Sequence, residues 1–247
     1  MAKPVLTFSI IGACWLLLAG FAAQADKPAS LPQTIPADYD ATYLVEKHAT
    51  QIARLSYQLR TRGKQTEFTT RAEVSGFAAL LRDDSATERS VLMNASPPRL
   101  LSYRYRQTGS KKNRNTQFHI DWHGETGQVQ GNYAGTAFSE TVQGAVWDPL
   151  SVQLALMRDL AMKQPPFRYQ VIHHGALKQY DFEALADDTL EIDEVFYDAV
   201  VLQRKHNNRL TRFWLAKDYQ YIPLQIENYK NGELDTRILL DSVTIHE

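Results

Sequence analysis

The sequence predicts a mainly β protein: a large curled antiparallel sheet, a half-open β-barrel, with one amphipathic helix as its lid or plug. Three observations predict it. Polar and apolar residues alternate over most of the chain, as they do in strands with one wet and one buried face. Short turns rich in Gly, Pro and Asn separate these stretches, which favours hairpins over βαβ units. One stretch, Val146 to Leu160 (VWDPLSVQLALMRDL), breaks the alternation and runs on a helical period.

The elements follow in chain order. Lys3, the apolar run Val5 to Phe21 and the small-x-small site Ala23-Gln24-Ala25 have the layout of a secretory signal peptide. Residues 1–25 are therefore expected to be removed, leaving a mature periplasmic chain that starts at Asp26 and has no stable membrane span. An uncleaved anchor is the alternative, but the run is short and Gly-interrupted for a span of roughly 20 apolar residues. Ile11-Gly12-Ala13-Cys14 has the form of a lipobox, yet Trp15-Leu16-Leu17-Leu18 carries the apolar run past the cysteine, where a lipidated Cys would end it. Cys14 is the only cysteine, so the mature chain needs no disulfide and cannot build a thiolate metal site.

Residues 26–37, with Pro28, Pro32 and Pro36, read as a Pro-rich mobile leader. Residues 38–247 read as a single β-rich domain. Tyr43 and Val45 alternate; so do Leu55, Tyr57 and Leu59, then Phe68, Thr70, Ala72 and Val74. Leu101, Tyr103 and Tyr105 follow, then Phe118, Ile120 and Trp122. Gly63-Lys64, Pro97-Pro98, Gly109-Ser110, Gly124 and Gly127 supply turns. After the helix, FRYQVIHHG, LKQYDFEAL, AVVLQRKHN, RLTRFWLAK, IPLQIENYK and DTRILLDSVTIHE read as further strands, with hairpin turns at Asn207-Asn208 and Asn231-Gly232. The total is roughly a dozen strands.

In the helix, Asp148 is suited to the N-cap and Pro149 to the first helical position. Leu150, Leu154, Met157 and Ala161 form one apolar stripe, widened by Leu156 and Leu160. Ser151, Arg158 and Asp159 fall on the other side, and Pro165-Pro166 stop the helix. Arg158 is expected to reach a carboxylate or free carbonyls, because an unpaired buried guanidinium is costly. So wide an apolar face needs an apolar surface to cover, and the concave side of the sheet offers one. Helix and sheet then enclose either a solid core or a cavity for an apolar ligand. In the second case Tyr103, Tyr105, Phe118, Trp122, Trp147, Leu150, Leu154 and Met157 are the ligand-binding candidates.

DPLSVQLALMRDL, and later RLTRFWLAKDYQYIPLQIE, resemble two motifs of a bacterial periplasmic family catalogued as domain of unknown function 3108. The matching positions are Asp148, Leu150, Ser151, Arg158, Asp159 and Leu160, then Arg212, Trp214, Leu215, Asp218, Pro223 and Ile226. The resemblance implies a periplasmic protein without established catalytic residues. By fold analogy it also implies the half-open barrel with a helical lid found in lipoprotein carriers of the Gram-negative envelope.

The remaining chemistry points away from catalysis, metals and cofactors. His119, Asp121 and His123 share one strand face, as zinc ligands would, but the alternation makes that face the wet one. His173 and His174, neighbours on a strand, are expected on opposite faces. No Gly-x-Ser-x-Gly elbow or Gly-rich phosphate loop is present. Ser151 falls in the first helical turn, where free N–H groups need partners. Asp187, Asp188, Asp193 and Glu194 read as a solvated loop, and the basic run GSKKNRN as a hairpin tip. With 27 basic and 28 acidic residues the chain lacks the basic excess of a nucleic-acid binder. The expected function is non-enzymatic periplasmic binding of a lipid, acyl chain or other apolar or amphipathic ligand between sheet and helix. The alternative is an envelope adaptor with a solid core that acts through protein contacts.

Overall fold

In the computed structural model, which describes residues 36–75, 84–109 and 114–246, the alternating stretches fold as strands. The first half supplies β1 (Tyr39–Lys47), β2 (Thr50–Arg62), β3 (Gln65–Val74), β4 (Ser85–Met93), β5 (Arg99–Thr108), β6 (Arg114–His123), β7 (Thr126–Tyr133) and β8 (Thr136–Gln143). The two-residue β9 (Val146–Trp147) leads to α1 (Val152–Ala161). Then come β10 (Phe167–His173), β11 (Ala176–Ala184), β12 (Asp188–Ile192), β13 (Val195–His206), β14 (Arg209–Ala216), β15 (Pro223–Lys230) and β16 (Glu233–Ile245). The signal peptide, the leader up to residue 35 and residues 110–113 of the basic run lie outside the described residues.

All these strands join one sheet, in the order β8-β7-β6-β5-β4-β3-β2-β1-β16-β15-β14-β13-β11-β10-β9, with β12 paired to β13. The sheet curls into a barrel that is nearly closed, with one seam between its two ends. The sixteen strands exceed the dozen expected. β4, β7, β8, β9 and β12 carry too little apolar alternation to stand out in the sequence. β9 also pairs parallel to β10, which the antiparallel expectation does not include.

The alternation is read out as burial. Tyr39, Ala41 and Tyr43 of β1 point inward, as do Tyr57 and Leu59 of β2 and Phe68 of β3. In β6, Phe118 and Ile120 are buried while His119, Asp121 and His123 are exposed. One register differs from expectation. Val91 pairs with Ser102 but Leu92 pairs with Leu100, so Leu101 is the extra residue of a bulge. The inward residues are therefore Leu100 and Tyr103, and Leu101 is only half-buried. Gly127 is a strand residue and not a turn. A Cβ there would lie 2.8 Å from Ile120 and 2.9 Å from Val142, so glycine permits close packing of three strands. The expected hairpin turns do form: Asn207 takes φ 54°, Asn231 φ 54° and Gly232 φ 86°.

The helix is a plug and not a lid. Every residue from Val152 to Met157 is buried, together with Asp159 and Leu160. They join the core formed by the inward residues of β1–β7 and β10–β11. Burial of Leu154, Leu156 and Met157, each 1% exposed, contributes roughly 1.5–3 kcal/mol per side chain. Ala161, expected on the inner stripe, is exposed, and Ser151 and Asp159, expected on the polar side, are buried. Their burial is tolerated because each has partners. Asp159 accepts hydrogen bonds from Arg158 Nε at 2.7 Å and from the Tyr169 hydroxyl at 2.9 Å. Arg158 thus reaches a carboxylate, as expected, and its guanidinium stands 5.5 Å from the Trp147 ring.

The regular helix begins at Val152, later than Pro149, and a turn over residues 149–151 leads into it. Asp148 caps that turn. Its Oδ1 accepts from the Leu150 and Ser151 N–H groups at 2.8 Å, and Ser151 Oγ accepts from the Asp148 N–H at 3.0 Å. This reciprocal pair is a capping box with Asp and Ser in its two roles. The same Asp148 oxygen accepts from Ser90 of β4 at 2.9 Å, tying the plug to the wall.

A candidate ligand cleft at the barrel seam

The two ends of the sheet meet without strand pairing, so side chains must fill the seam. The β10–β11 turn crosses it. His174 takes φ 58°, a left-handed conformation that turns the chain back after β10. Its ring then lies 3.8 Å from that of His173 and 5.0 Å from that of Tyr133 on β7. This overturns the expectation of opposite faces, which assumed that the strand continues through His174. Gly175 follows against the β7–β8 hairpin: a Cβ there would lie 3.3 Å from both Phe138 and Tyr133.

Beside this crossing lies a cleft of about 820 Å³, within the range of small-molecule sites. Its walls come from both sides of the seam: Glu88, Tyr103, Tyr105, Phe118 and Tyr133 from β4–β7, and Ile172, His173, His174 and Gly175 from β10 and its turn. Arg114, Asn115 and Thr116 at the start of β6 complete one end, and Pro149 brings in the approach to the plug. Gly131 shapes the neighbouring wall, since a Cβ there would lie 2.5 Å from that of Phe118 and 2.8 Å from the Phe138 ring.

Of the residues expected to bind ligand, the structure brings Tyr103, Tyr105 and Phe118 together in this cleft. Trp147, Leu150, Leu154 and Met157 are buried in the core around the plug. Trp122 is half-buried, donates its indole N–H to the Leu100 carbonyl at 2.8 Å and lies under the Arg99 guanidinium. The cleft therefore opens at the seam and not between sheet and helix. Of the family motifs only Pro149 reaches it: Asp148, Ser151, Arg158 and Asp159 organise the plug, and Trp214 donates to Asp188 at 2.9 Å.

Sequence reasoning missed the cleft's polar groups. Glu88 accepts a hydrogen bond from the Tyr103 hydroxyl at 2.8 Å. Burial pushes its carboxyl up to about 7, against the Tyr103 hydrogen bond and with help from Asp148. Asp148, fully buried, is pushed up to about 6 by burial, although Ser90, Leu150 and Ser151 donate to it. On the opposite wall burial lowers His173 to about 4, aided by His174 and Lys178, so the ring is neutral near pH 7. Its Nδ1 hydrogen-bonds the Tyr180 hydroxyl. Tyr105 stands between Glu88, which raises its hydroxyl, and Arg114, which lowers it, while burial raises it most. The sequence did carry a signal for Glu88: Ala86, Glu88, Ser90 and Leu92 share one strand face, which puts a carboxylate at an inward position.

Chemically the cleft offers aromatic and aliphatic walls with a few polar groups at fixed places, which suits an amphipathic molecule. His119, Asp121 and His123, on the exposed face of β6, are apart from it.

Residues 38–238 match the sequence model of a family described as "Protein of unknown function (DUF3108)". No curated protein matches the chain. Among solved structures, the chain is similar to a β-barrel-like protein of domain of unknown function DUF1849 from Brucella abortus. That likeness has a TM-score of 0.57 and 9% identity, and covers 86% of this chain and 99% of the other. At such identity the likeness concerns the fold alone.

Proposed function

The chain belongs to the DUF3108 family, and from that premise and the geometry of the seam we propose that it is a non-enzymatic binding protein for an amphipathic ligand, a lipid or acyl chain. The observation that carries this reading is the cleft of about 820 Å³ between Tyr103, Tyr105 and Phe118 on one side and Ile172 on the other. A barrel that closed by strand pairing would have no such opening. Here the seam is held by side chains, so one wall can adjust to an occupant without breaking backbone hydrogen bonds.

Affinity comes from removing apolar surface from water, at roughly 25 cal/mol per Å². Orientation comes from the few polar groups, since a buried hydrogen-bonding group left unpaired is expensive. The neutral His173 ring and the Glu88 carboxyl, about half protonated at pH 7 and able to take up a proton, let the inner cleft accept an apolar body without forcing a full charge against it. The place of action is the periplasm, after removal of residues 1–25, and N-terminal sequencing of the exported protein should read Asp26 first. Native mass spectrometry of protein purified without detergent tests the reading. The expected result is a stoichiometric adduct of lipid mass that is lost on delipidation and regained on adding a fatty acid. A protein that carries and takes up none would leave the adaptor with a solid core.

A further inference from the structure

The outer end of the cleft gathers positive charge. Arg114 lines it, and no hydrogen bond or ion pair engages the Arg114 guanidinium among the described residues. His174, exposed, stands opposite with His173 at its side. Lys178, also without an ion-pair partner, is half-buried on the same face of β11 as Tyr180, and it acts on both histidines as Arg114 acts on His174. Arg204 stacks on the Tyr180 ring at 3.6 Å, behind His173, which Tyr180 hydrogen-bonds. Many other cations are paired: Lys47 with Asp235, Arg54 with Asp241, Arg89 with Glu67, Arg99 with Glu125, and Lys217 with Asp187. Among the described residues Arg114 and Lys178 have no counterion, and with burial they disfavour protonation of the two histidines between them; an anion here relieves that repulsion and accepts from their N–H groups.

We propose that this end of the cleft is an anion site, built from Arg114, His174 and Lys178, that takes the carboxylate or phosphate of the amphipath. The inference rests on the cleft reading above and adds the sign and place of the headgroup. The apolar body lies inward along Tyr105, Phe118 and Ile172, and the charged head stays at the rim, where it keeps part of its hydration. Arg114 supplies a planar fork suited to either oxyanion. Glu88, the one carboxylate of the lining among the described residues, sits deeper and disfavours the reversed orientation.

The test measures uptake of three fluorescent probes with the same acyl chain: a fatty acid, its methyl ester and a lysophosphatidic acid. Wild type should bind both acids more tightly than the ester, and raising the salt should narrow the gap. The double variant Arg114→Gln with Lys178→Gln should lose about tenfold for the acids and bind the ester as wild type does. Arg114→Lys with Lys178→Arg should restore most of the loss. A larger loss for lysophosphatidic acid points to phosphate as the head, and a larger loss for the fatty acid to carboxylate. Equal weakening of acids and ester would overturn the anion site and leave the cleft reading standing. No uptake of any probe by wild type would overturn both.

Discussion

Replacing Glu88 by Gln keeps an acceptor for the Tyr103 hydroxyl and removes a charge that the cleft wall disfavours. The carboxyl of Glu88 is raised from 4.5 to about 7 in the folded protein, chiefly by burial. A raised acid holds its proton more tightly folded than unfolded. The native state is therefore best supported by this group below pH 4.5, loses that support as the pH rises from there through 7, and then levels off. The shift corresponds to roughly 3 kcal/mol at most, and nearer 2 kcal/mol once the water in the cleft is allowed for. Gln escapes this loss. Glu88→Gln should lie within about 1 kcal/mol of wild type at pH 5 and exceed it by about 2 kcal/mol at pH 8, a rise of about 4–8 °C in Tm for a domain of this size. Asp148 is coupled to Glu88 and is itself raised to about 6, so a residual slope near pH 6 should remain in the variant. Urea melts at pH 5, 6, 7 and 8 on both proteins measure this. Parallel stability–pH curves, or a variant less stable at every pH, would refute the reasoning.

Leu154→Asp puts a charge on a plug residue that is 1% exposed and does not line the cleft, so the domain should fail to fold, as circular dichroism will show. The milder Leu154→Ala should cost about 2–5 kcal/mol in a urea melt. Ser151→Ala leaves the buried Asp148 N–H without its acceptor and should cost about 1–2 kcal/mol, with uptake of an acyl probe unchanged. His119→Gln with His123→Gln changes two exposed side chains and should shift stability by less than about 0.5 kcal/mol, and elemental analysis should find any bound metal unchanged.

The fold was legible wherever burial writes a two-residue period. Phe118 and Ile120 inward against His119 and Asp121 outward is such a case. The helix announced itself by its period and by Asp148 and Ser151, which form the capping box that starts it. Whether it is lid or plug was not legible, because a stripe analysis puts Ser151, Arg158 and Asp159 on the polar side. These residues instead satisfy one another, Tyr169 and backbone N–H groups inside the barrel. The cleft was half legible. Tyr103, Tyr105 and Phe118 belong to strands whose alternation is strong. Its other wall depends on where the barrel fails to close, which follows from strand count and curl and not from any local pattern. The pairing of His173 with His174 depends on one left-handed residue at the end of β10, and nothing in HHG alone distinguishes that from a continuing strand.

Photo-crosslinking tests the central claim most directly. The protein is saturated with a fatty acid carrying a diazirine in mid-chain, illuminated and digested, and the labelled residues are read by mass spectrometry. Binding in the seam cleft predicts labels at Tyr103, Tyr105, Phe118 and Ile172, from both sides of the seam, and their loss on competition with unlabelled fatty acid. Labels spread over the outer face, or confined to residues remote from the seam, would contradict it.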